Sequence, residues 1–158
     1  MIHEGTHGIQ SLDLLGRKIA GPGFPLLIER MAGCVERAVK TRDKETMELA
    51  SHVKSAVERL VGVTKKLGGV GMAGDIQLML ANSHDYLNMA GTTVIGWLWL
   101  EMAMAAKAKS SGEADPFLHG KVNAAKFFMA HELHKTEHQS WLLGSLDDTV
   151  LKTKVEEL

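Results

Sequence analysis

His134-Lys135-Thr136-Glu137-His138 places two imidazoles one helical turn apart with a glutamate between them, an H-x-x-E-H spacing that can chelate zinc. A catalytic zinc site needs a third protein ligand placed by the fold, and only a short acidic tail follows in sequence. The plainer reading is a solvated polar face opposite Met129 and Leu133, so no metal is expected. Gly69-Val70-Gly71-Met72-Ala73-Gly74 matches the G-x-G-x-x-G spacing that lets backbone amides approach a pyrophosphate. That chemistry requires a preceding strand. Here an amphipathic helix precedes the glycines, and the segment reads as a flexible turn between helices. Trp97, Trp99, Met102 and Met104 could pass for a cofactor box, yet tryptophans two positions apart point to different sides of a helix. Packing against the core on one side and a partner on the other explains them better. Cys34 stands alone and reads as a small buried hydrophobe.

Composition narrows the partners. Lys and Arg number 18 against 19 Asp and Glu, which leaves no excess charge to neutralise nucleic acid or hold an anionic membrane. The longest uncharged apolar run, residues 89–100, is short of the roughly 20 residues that span a bilayer, and it reads as a buried helix. A single cysteine excludes an internal disulfide framework and fits a reducing compartment, the cytoplasm. The first five residues carry no basic and apolar export signal.

These residues must be positioned by helices, because no strand-like alternation competes with the periodicity of three and four. The spacing predicts a first helix over residues 6–19, ended by Ala20-Gly21-Pro22-Gly23. A second begins near Pro25 and turns Leu27, Met31, Cys34, Val35 and Ala38 inward. Asp43 caps a third, with Met47, Ala50, Val53, Val57, Leu60, Val61 and Thr64 inward and Gly68-Gly69 as its stop. A fourth runs over residues 75–109, apolar on nearly every side, and is broken by Ser110-Ser111-Gly112. Asp115-Pro116 then opens a fifth that buries Leu118, Val122, Ala125, Met129 and Leu133, and residues 152–158 form a charged tail. Short connections between long helices predict an all-α, up-down four-helix bundle with the first helix as an appendage.

The N-terminal run Met1-Ile2-His3-Glu4-Gly5-Thr6-His7-Gly8-Ile9-Gln10, followed by Asp13-Leu14-Leu15-Gly16-Arg17-Lys18, resembles the I-Y-E-G-T-N-G-I-Q segment of acyl-CoA dehydrogenases. With a long helical region after it, the chain is similar to the branch that carries an extra C-terminal helical domain, as methylthiopropionyl-CoA dehydrogenases do. The resemblance marks Glu4 as the catalytic base of the parent reaction, the α,β-dehydrogenation of an acyl-CoA thioester. A carboxylate in a dry pocket would remove the α-proton while the β-hydride passes to flavin N5. It further implies Gly5 beside the acyl thioester and Thr6 and Gly8 against FAD. His3 and His7 depart from the usual Tyr and Asn or Ser.

The domain reading is therefore residues 1–20 as the tail of a dehydrogenase catalytic region and residues 21–158 as a C-terminal bundle. This sequence supplies no β-rich domain to enclose flavin, so Glu4 is expected to be solvated and the chain inactive and FAD-free by itself. Its partners are expected to be a second copy, as a homodimer, or the N-terminal part of the dehydrogenase. The alternative is a free-standing helical interaction protein derived from that family.

Overall fold

A computed structural model of the chain describes residues 5–110 and 115–157, and every regular element among them is helical. The long elements are α1 (His7–Gly16), α2 (Gly23–Lys40), α3 (Lys44–Met72), α5 (Ser83–Lys109), α6 (Pro116–Phe128) and α7 (Lys135–Ser145). A five-residue α4 (Ile76–Leu80) lies between α3 and α5, and a π-helical segment, Met129–Leu133, joins α6 to α7. A short 3-10 turn (Lys18–Ala20) follows α1, and α8 (Thr149–Lys152) with a final turn (Val155–Glu157) closes the chain.

The caps read from sequence are made. Asp43 accepts from the Thr46 amide at 2.9 Å, and Asp115 accepts from the Phe117 amide at 2.8 Å with Pro116 behind it. Ser111 and Gly112 lie outside the described residues, but α5 does end at Lys109.

Three expectations for residues 43–109 change. The glycine pair does not stop α3, which continues to Met72, because Gly71 serves packing: a Cβ there would collide with the Met79 sulfur. The turn itself falls on Gly74, whose φ of +99 suits glycine. Residues 75–109 are not one helix, since Asp75 caps α4 through the Leu78 amide at 3.0 Å and a break follows at Ala81-Asn82. Met47 is 40% exposed, and Thr46 and Leu49 take the inward positions, Thr46 because its hydroxyl bonds Asp43 at 2.6 Å.

The interior falls into two adjoining clusters. In the first, Met31 and Cys34 of α2 meet Val53 of α3, Leu100 of α5 and Met129 and Leu133 of the π segment. In the second, Leu15 of α1 meets Leu60 and Leu67 of α3, Tyr86 and Met89 of α5, and Leu143 of α7. Read from sequence as an appendage, α1 is in fact packed, for Leu15 is fully buried. Tyr86 is also fully buried, and its hydroxyl meets Thr64 Oγ1 at 2.7 Å, which satisfies an oxygen that would otherwise be costly to bury. The helix Ser83–Lys109 is long and apolar enough to cross a membrane by length and composition alone. In this structure α1, α2, α3, α6 and α7 all pack on it.

Charges tie the helix ends together. Lys107, near the end of α5, pairs with Asp43 and with Glu45 at 2.7 Å, and Lys126 of α6 reaches Glu45 at 2.6 Å. The Lys107 and Thr46 hydrogen bonds hold the Asp43 carboxyl down at about 2, against an ordinary 3.8. A carboxyl lowered on folding stabilises fully above its unfolded value and loses that contribution as pH falls through its folded one. Asp43→Ala is expected to cost about 1–2 kcal/mol at neutral pH, as loss of a helix cap does. Urea unfolding should show that deficit shrinking as pH drops from the ordinary carboxyl range toward about 2.

Candidate functional site

Glu4, the base marked by resemblance, lies outside the described residues. The residues after it lead directly into α1. Gly5 adopts a φ of +66 and is exposed, Thr6 accepts the Gln10 amide at 2.9 Å through its carbonyl, and Gly8 lies in the first turn. A side chain added at Gly5 or Gly8 would meet nothing within 4 Å. Neither glycine is closely approached by another part of the described residues.

What the structure does supply is an anchor for this segment. Ser11 is buried and bonds the Gly8 carbonyl at 2.8 Å, while its oxygen lies 3.1 Å from Ser83 Oγ at the start of α5. One turn further on, Leu15 enters the core, and Gly16 sits against Leu80 of α4. The His7 ring lies edge-on to His84 at 6.1 Å. Three contacts thus fix α1 on α5 and α4. Ser11 and Ser83 carried no signal in sequence, because neither belongs to a motif and they are 72 residues apart.

The histidine pair is divided between different partners. His134 Nδ1 lies 3.0 Å from Glu137, and its ring faces His52 of α3 at 5.4 Å. His138 stacks instead on Trp141 at 6.0 Å. Among the described residues no three His, Cys, Asp or Glu side chains are grouped to hold a metal. Arg59 of α3 bonds the Thr136 hydroxyl at 3.1 Å and lies 3.6 Å from Glu137, so α3 and α7 are tied here by polar contacts that the sequence did not reveal. The His134 hydrogen bond, with help from Arg59, lowers the Glu137 carboxyl.

Cys34 is fully buried, as read. Burial, then Glu101 beside it, pushes the thiol up to about 12, which leaves almost no thiolate at neutral pH. Arg37 pairs with Glu101 across α2 and α5. Trp97 and Trp99 are both partly buried against the first core cluster, Trp97 near Cys34 and Trp99 with Lys121 of α6 at 6.0 Å.

The family described as acetyl-CoA dehydrogenase C-terminal like matches residues 27–154, from α2 through α8, and no curated protein matches the chain. The E-G-T segment and α1 precede the matched residues.

Leu15→Ala is expected to destabilise the fold by about 2–5 kcal/mol through the cavity it leaves, and hydrogen exchange should show α1 losing protection before α3. Zinc or a chelator should leave the melting temperature unchanged, because His134 and His138 have separate partners. A rise of many degrees with stoichiometric zinc would restore a metal reading.

Proposed function

The chain belongs to the acetyl-CoA dehydrogenase C-terminal-like family, and from that premise we propose that it is the helical C-terminal module of an FAD-dependent acyl-CoA dehydrogenase of the methylthiopropionyl-CoA dehydrogenase branch. Its work is to position and assemble rather than to carry out chemistry alone. In the parent reaction Glu4 is the base by resemblance, with Gly5 toward the acyl thioester and Thr6 and Gly8 toward FAD. The observation that carries this reading is the anchoring of α1, through buried Leu15 and the Ser11–Ser83 contact, directly behind that segment.

An up-down four-helix arrangement of α2, α3, α5 and α6–α7 fits the same role, since it gives a stiff support. Contacts favour it. Arg37 pairs with Glu101 and Asp43 with Lys107, both 64 residues apart, as expected where α2 and α5 run the same way. Thr64 meets Tyr86 while Asp43 meets Lys107, so numbers fall along α5 as they rise along α3, the mark of antiparallel neighbours. The partners that suit such a module are a second copy and the catalytic region of the dehydrogenase, in a reducing cytoplasm.

Purified alone, the chain is expected to be colourless and to oxidise no acyl-CoA. The check is an assay with added FAD, a panel of acyl-CoA thioesters and an artificial electron acceptor, with Glu4→Gln as control. Flavin retained at one per chain, or turnover abolished in Glu4→Gln, would overturn the claim that the module lacks chemistry of its own.

A further inference from the structure

Outside its packed face, α5 carries a second apolar stripe. Ile95, Leu98 and Met102 are 46%, 44% and 38% exposed, and their spacing of three and four puts them in one row. No charged residue interrupts the row, which is almost symmetrical about Leu98, with an aliphatic side chain three residues before and a methionine four after. Beside it, the outer surface of α2 is charged in an ordered way. Around Gly33, Glu29 lies four residues before and Arg37 four after, while Arg30 lies three before and Glu36 three after, all four exposed. Each acid thus mirrors a base. Arg37 pairs with Glu101, and Gly33 and Trp97 line one shallow concavity between the two helices, so Gly33 stands level with the centre of the α5 stripe.

We infer that this α2–α5 face is a two-fold interface with a second copy of the chain, with the axis passing through Leu98 and Gly33. Turned over by such an axis, α5 meets α5 of the second copy antiparallel, Leu98 opposes Leu98, and Ile95 approaches Met102. The same rotation brings Glu29 near Arg37 and Arg30 near Glu36 of the other copy, and Gly33 adds no side chain where the α2 helices cross. Arg37 has donors enough to keep Glu101 and also accept a second carboxylate as partner. An unrelated partner has no reason to demand a surface that reads alike in both directions, and a self-contact does. The inference rests on the assembly reading above and specifies the surface that carries it out.

The full chain should sediment as a dimer at tens of micromolar, and Leu98→Glu should weaken association at least about tenfold while leaving helicity and melting of the monomer unchanged. Leu98→Cys should cross-link rapidly to a covalent dimer under mild oxidation, since Cys34 is buried and does not compete. Glu29→Arg alone should weaken the dimer, and Glu29→Arg with Arg37→Glu should restore it. A monomer at these concentrations overturns both the interface and self-assembly. A dimer that tolerates Leu98→Glu, or that fails to cross-link through Leu98→Cys, overturns this interface while self-assembly stands. The flavin and turnover assay is independent of either result.

Discussion

The inner face of α5 sets small residues between the large side chains Tyr86, Met89 and Leu100, and the close packing of the other helices follows from the small ones. Ser83, Thr93, Gly96, Ala103 and Ala106 are all buried there. At Gly96 the approach is closest, for an added Cβ would stand 2.9 Å from Leu133 Cδ1. Helices that meet a face without bulk can come near one another, and dispersion contacts gain from the closeness. The larger side chains of α5 are divided: Tyr86, Met89 and Leu100 fill the core between the small residues, Trp97 and Trp99 are half-buried on the flanks, and Ile95, Leu98 and Met102 are exposed. A helix that is apolar inside and out has little amphipathic contrast. Its sequence therefore looks uniformly apolar, and its outer surface is left needing cover.

The ends of the helices obey a different rule. Lys107, Asp43, Glu45 and Lys126 form a chain of charges that joins α5, α3 and α6. Each pair is partly solvated, and such pairs individually contribute little to stability. Their value is positional. Asp43 serves at once as cap for α3 and as partner for Lys107, so the start of one helix is tied to the end of another. Burial pulls the Lys107 ammonium down, but Asp43 and Glu45 outweigh it and the net shift is upward. The core supplies most of the free energy and the terminal charges select the register.

This division explains which features were legible in the sequence. The caps Asp43 and Asp115 act on residues two or three positions away, and the stripe Val122, Ala125, Met129 and Leu133 is a one-dimensional pattern; both were readable. The π segment was not, because a step of four from Met129 to Leu133 fits an α-helix equally well. Nor was the break at Ala81-Asn82, which contains neither glycine nor proline. Gly68-Gly69 read as a stop only because the close approach of Gly71 to Met79 is a tertiary fact. At the candidate site, the family motif named Glu4, Gly5, Thr6 and Gly8. The residues that hold this segment in place, Ser11, Leu15 and Ser83, became visible only when α1 and α5 were seen together.

The ionisable groups divide into two kinds. A base for α-proton abstraction from a thioester needs a carboxyl raised by burial, so that it can both accept the proton and keep it. Among the described residues Asp13, Asp43, Glu45 and Glu137 are all shifted downward, each mainly by hydrogen bonds from cationic or histidine partners. They are held as anions. The groups that burial does raise, Cys34 and Tyr86, are acids made weaker still and sit sealed in the core. On the proposed reading the contribution of the chain to a reaction is placement, which matters because reacting groups must be held to within fractions of an ångström. In the helix that follows the marked segment, Leu15 is held in the core near the helix end and Ser11 is held against Ser83 at its middle.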